Sequence, residues 1–134
     1  MKSIALCCLM IIPGFFAFGQ SVMVFSQNKC YLDKVETLKS DAKEKFKPIL
    51  DNLVNEKKLI SWQIYEHGWG DEWNYNVLYV AESQEKFLEA FREFAKRTSE
   101  RYPETFKIFQ EACFEHKDSI YSLVTGYTSP VAKN

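Results

Sequence analysis

His67 is the residue in this sequence whose surroundings most suggest chemistry. Tyr65 and Glu66 precede it, and Trp69 and Asp71 follow it across Gly68 and Gly70. A neutral imidazole at such a strand end could act as a general base or as a haem ligand. The plainer alternative is a surface histidine beside a turn. Strand alternation puts Glu66 on the opposite face, with Trp62 and Ile64. A carboxylate there is either buried for a purpose or placed at the rim of a sheet, and close to a strand end the rim is expected.

The aromatic residues around it, Trp62, Trp69, Trp73, Tyr75 and Tyr79, would suit a stacking pocket for a small hydrophobic or aromatic ligand. They would equally suit a dimer interface or a plain core. His116 falls one turn beyond Ala112 and Cys113, so helical spacing puts it on an apolar stripe, as a hydrogen-bonded core or edge histidine. With 2 histidines, far apart in sequence, no dedicated metal site is expected. The sequence has no Ser, His and Asp arrangement, phosphate loop or HExxH motif, which leaves hydrolase, nucleotide-binding and zinc-protease readings without support.

Residues 1–19 hold one charged side chain, Lys2, then an apolar run from Ile4 to Phe18 that closes on Ala17 and Gly19. That order is the one a secretory signal peptide follows, and Pro13 and Gly14 interrupt the run too early for a stable membrane span. The expected localisation is secreted or periplasmic. The expected organisation is a signal peptide over 1–19, one domain over 20–128, and a loose tail over 129–134. Without residues 1–19 the chain carries 16 basic and 18 acidic side chains, so no nucleic-acid partner is expected. Cys30 and Cys113 then remain. They are either joined as a disulfide, which export permits, or two separate buried thiols.

These residues need elements to position them. Val22, Met23, Val24 and Phe25 read as a buried strand within 21–26. Asp33, with Glu36 three residues on, reads as an N-cap. Val35, Leu38, Ala42, Phe46, Ile49 and Leu53 then form one stripe of a helix running to about Lys58, kinked at Pro48. Leu59 to His67 and Trp73 to Ala81 read as a hairpin about Gly68–Asp71, with Trp73, Tyr75, Val77 and Tyr79 on one face of its second arm. Ser83 caps a helix whose buried stripe is Phe87, Phe91, Phe94 and Ala95, ending near Arg101 ahead of Pro103. A further helix carries Phe106, Phe109, Ala112 and Cys113, and the segment 119–128 either continues it or forms a last strand.

The order is strand, helix, strand, strand, helix and a possible strand: an α+β, ferredoxin-like βαββα(β) sandwich with an antiparallel sheet. In the strand Val22 to Phe25, the long helix from Asp33, the hairpin about Gly68 to Asp71 and the helix after Ser83, the layout resembles the dimeric α+β barrel superfamily. That superfamily includes the antibiotic-biosynthesis-monooxygenase-like and stress-responsive barrel families. The resemblance implies a homodimer whose open sheet faces pack together. Its members range from cofactor-independent oxygenases and haem-degrading enzymes to proteins without known chemistry. The expected function is therefore binding of a small hydrophobic or aromatic molecule without identifiable catalysis. The alternatives are a monooxygenase or haem-handling enzyme using His67, and an envelope protein-interaction module.

Overall fold

The computed structural model describes residues 21–68 and 72–122. The expected signal peptide, Trp69, Asp71 and the tail lie outside the described residues.

Four strands, β1 (Val22–Cys30), β2 (Ser61–Glu66), β3 (Tyr75–Ala81) and β4 (Cys113–Ser122), form one sheet in the order β2-β3-β1-β4. Every neighbouring pair is antiparallel. β1 is longer than its apolar run, because Ser26 to Lys29 are paired with β3 or β4 and their polar backbone is thereby satisfied. Alternation sends Val22, Val24, Ser26, Asn28, Tyr75, Val77 and Tyr79 to one face, where the helices pack. Met23, Phe25, Leu78, Val80, Tyr65 and Tyr121 share the other face. Among the described residues no helix covers that second face, and Met23, Tyr65 and Tyr121 are exposed on it.

The helical layer begins with α1 (Leu32–Asp41), passes through a π-turn (Ala42–Phe46), and continues as α2 (Lys47–Asn55). All six predicted stripe residues are buried. The N-cap is Tyr31 rather than Asp33, and it makes no side-chain cap bond. Its amide is tied to the Ala112 carbonyl at 2.9 Å, which fixes the chain so that the helix starts immediately afterwards. Asp33 falls in the first turn, where a carboxylate meets the positive end of the helix. The expected kink takes the form of the π-turn. Pro48 would drive its ring into the Glu44 carbonyl of a regular helix, and the wider turn just before it, with Lys47 N–H donating to the Ala42 carbonyl, relieves that clash. α2 stops at Lys57, which has φ 60°. There the Lys58 and Lys57 amides donate to the Leu53 and Val54 carbonyls at 2.8 and 2.9 Å, a Schellman arrangement.

α3 (Gln84–Arg101) is capped by the Ser83 side chain, which accepts from the Lys86 amide. Its buried line is Phe87, Ala90, Phe94 and Thr98, one step round from the predicted stripe. Phe91 is 43 % exposed at the edge of that line. α4 (Thr105–Ala112) ends earlier than helical spacing suggested: Cys113 takes extended angles and opens β4. His116 is therefore a strand residue, correcting its expected place on a helix. Cys30 and Cys113 are joined by a disulfide with Cα atoms 3.8 Å apart, where β1 and β4 shift register.

Candidate functional site

The register places a polar row across the helix-facing side of the sheet: Glu66 opposite Tyr75, Tyr75 opposite Asn28, and Asn28 opposite His116. Asn28 is 1 % exposed and donates through Nδ2 to the Tyr75 carbonyl at 3.1 Å. That bond fixes the amide so that Oδ1 faces Nδ1 of His116 at 2.8 Å. On the far side of the ring, Nε2 lies 3.0 Å from Asp118 Oδ2. Both ring nitrogens thus face side-chain oxygens.

Against this row lies a cavity of about 100 Å³ between the sheet and the helices. Its polar wall is Ser26, Asn28, Tyr75, Tyr79 and His116, and the rest is built largely from Phe46, Phe91, Phe94, Phe106 and Phe109. The rings interlock edge to face: Phe46 with Phe94 at 5.4 Å, and Tyr75 with Phe109 at 6.0 Å. Burial, reinforced by the Asp41 carboxylate, pushes the Tyr75 phenol well above its ordinary value. Burial does the same to Tyr79, with Tyr75 and Asp118 adding to it. Both are therefore neutral hydroxyls. Among the described residues, neither the Tyr75 hydroxyl nor Asp41 Oδ2 has a hydrogen-bond partner.

The residues singled out from the sequence are separated by the structure. Tyr75 and Tyr79 line this cavity. Trp62 and Glu66 line a second, open groove of about 600 Å³, beside Lys39, Lys43, Lys47 and Ile64. There the Trp62 indole donates to Asp51 at 3.1 Å, and Glu66 pairs with Lys39 at 2.9 Å. Trp73 leaves the predicted face because β3 starts only at Tyr75. Its ring lies 4.9 Å from Lys29 Nζ and 5.7 Å from Lys117 Nζ, on the side of the sheet those lysines use. His67 is half-buried beyond the end of β2 and is not among the described residues lining either cavity.

Asn28 and the phenylalanines of α3 and α4 went unrecognised as site residues. Their helical spacing marked the phenylalanines only as core. Among the described residues, no group of three His, Cys, Asp or Glu side chains is placed to hold a metal ion.

No protein-family model matches the sequence, and no curated protein matches it. Solved structures do match. A dimeric ferredoxin-like protein from an uncultured marine organism superposes with TM-score 0.65 at 12 % identity, over 82 % of this chain and 92 % of that one. The fold is ferredoxin-like. A NIPSNAP-like domain protein from Burkholderia xenovorans gives 0.64 at 11 % identity, over 84 % and 91 %. A protein of Bacteroides thetaiotaomicron described as a possible oxidoreductase gives 0.54 at 14 %, over 78 % and 99 %. At such identities the ferredoxin-like likeness speaks to fold alone.

Proposed function

We propose that this protein is an exported homodimer that binds a small, flat, largely apolar molecule between its sheet and its helices. The observation that carries the reading is the ring-lined cavity closing on Asn28 and His116. An apolar cavity of about 150 Å³ accepts benzene, so a site of about 100 Å³ takes a single ring once a rim side chain such as Phe91 gives way.

Two further features support the assembly and the location. The uncovered sheet face carries Met23, Phe25, Tyr65, Leu78, Val80 and Tyr121, an apolar surface suited to a second copy, and the marine relative is described as dimeric. The Cys30–Cys113 disulfide suits an oxidising compartment, in keeping with the apolar run at residues 4–18. Among the described residues no helix is long and apolar enough to cross a membrane. A native mass spectrum of the protein exported from a bacterial host tests the reading. Dimers of chains beginning at Gln20 support it, and a monomer, or a chain retaining Met1, contradicts it.

A second reading, an acid–base enzyme, is favoured by one observation: His116 is held at the cavity between Asn28 and Asp118, as a proton-transferring imidazole needs to be. His116 replaces His67 in this version. Deuterium exchange into the methyl group of acetophenone in D2O, abolished by His116→Ala, supports it. Absence of enzyme-dependent exchange contradicts it for carbon acids of that kind.

A further inference from the structure

The sheet has two edges, and the sequence protects one of them. β4 carries Glu115, His116, Lys117 and Asp118 in succession and shifts register against β1 at Lys29 and Cys30. Charged side chains and irregular register are means by which native proteins keep an edge strand from pairing further. β2 is built differently. Its residues Ser61–Glu66 hold no lysine or proline, keep their one charge, Glu66, at the end, and pair with β3 in unbroken register. Among the described residues β3 is its one strand neighbour, so alternate residues of β2 turn their N–H and C=O groups away from the sheet.

Beside that edge runs the open groove of about 600 Å³, with α1, the π-turn and α2 as its other wall. The helical wall and the strand run in opposite directions and are tied at both ends. Lys39 pairs with Glu66 at one end, and Asp51 accepts from the Trp62 indole at the other. Trp62 to Glu66 is about 13 Å of strand, enough for a partner strand of about five residues. The floor between the ties is apolar, from Ala42 and the partly buried Trp62 and Ile64. Lysines border it at every fourth position. Lys39 is paired with Glu36 and Glu66, and Lys47 with Asp51. Lys43, midway between them, has no ion-pair partner among the described residues. An ammonium left unmatched beside an apolar floor favours an occupant with a carboxylate at its centre and apolar side chains on either side.

We propose that β2 accepts an extended peptide segment of a partner protein as a fifth strand, with apolar side chains over Trp62 and Ile64 and an acidic one at Lys43. Main-chain bonds to β2 supply the affinity, and alternate side chains directed into the groove supply the selectivity. The proposal does not rest on the inner cavity being a ligand site.

Fluorescence anisotropy of labelled peptides against the full chain tests it. The first probe places isoleucine, glutamate and isoleucine alternately with threonines. The second has lysine in place of the glutamate, and the third is the first methylated at every backbone nitrogen. The glutamate peptide is expected to bind, and the lysine peptide to bind about tenfold more weakly through like-charge repulsion at Lys43. Methylation should weaken binding by about tenfold or more, since each lost main-chain bond counts severalfold. Lys43 is exposed, so Lys43→Glu leaves the fold intact, and it should reverse the preference between the first two peptides. Failure of the first peptide to bind, as a second copy already seated on β2 would cause, overturns the proposal. So does a preference unchanged by Lys43→Glu, or equal binding of the methylated peptide, which would make the groove a site for side chains or small acids alone.

Discussion

Asn28 and His116, 88 positions apart, meet at 2.8 Å on adjacent strands of the helix-facing sheet surface. The contact joins the buried centre of the sheet to its β4 edge, because the same asparagine is anchored to the Tyr75 carbonyl on β3.

Removing the asparagine should therefore cost stability as well as order at the site. Asn28→Ala deletes two hydrogen bonds at a position 1 % exposed and opens a small void. A loss of about 2–3 kcal/mol is expected, read as a lower urea midpoint with an unchanged slope. A midpoint within error of the unmutated protein would show that the pair contributes nothing.

The Cys30–Cys113 disulfide closes a sequence separation of 83 residues. Loop entropy credits such a closure with ~4 kcal/mol. Thermal unfolding with and without a reducing agent should show a drop in Tm of ten degrees or more, by the usual scale of ~4–8 °C per kcal/mol for a small domain. Cys30→Ala with Cys113→Ala should reproduce it, and the double variant should no longer respond to the reductant.

Lys57 sits at φ 60°, the left-handed position that ends α2. A side chain there is strained by its own Cβ, and glycine is not. Lys57→Gly is expected to raise stability by about 0.5–1 kcal/mol in chemical denaturation. A loss of that size would mean that the lysine side chain makes a contact worth more than the strain.

Arg97 clasps both Glu56 oxygens at 2.8 Å, linking the end of α2 to α3. The Arg97 guanidinium, and after it the Lys58 ammonium, hold the Glu56 carboxyl down to about 2 from an ordinary value of 4.5. A carboxyl lowered on folding stabilises the fold above its unfolded value and loses that contribution as pH falls through the folded one. The clasp should therefore weaken between about pH 4.5 and 2. Carbon-detected NMR of the Glu56 carboxyl should report a midpoint near 2, moving up towards 4.5 in Arg97→Met and in high salt. A midpoint already near 4.5 in the unmutated protein would show the clasp to be absent in solution.

Much of the fold was legible because periodicity and caps agreed with each other. The stripe from Val35 to Leu53, the hairpin arms and the Ser83 cap all rest on local patterns that tertiary packing did not override. The site was less legible. His116 continues the helical spacing of Phe109, Ala112 and Cys113, with no glycine or proline to announce the change at Cys113. Pairing with β1 and the bridge to Cys30, both long-range, make that segment a strand. Trp73 was assigned a face by counting alternation back through residues that precede β3. Asn28 gave no local signal, because its meaning comes from strands 47 and 88 residues away.

The most direct test of the ring-binding cavity is a methyl NMR titration of the labelled protein with acetophenone. Leu50, Ile64 and Val77 line the cavity, whereas Met23 and Leu78 lie on the uncovered sheet face. Saturable shifts at the first three methyl-bearing residues, with contacts from the probe's ring protons to Phe94, are the expected result. Shifts confined to Met23 and Leu78, or no shifts at any concentration the probe's solubility permits, would contradict it.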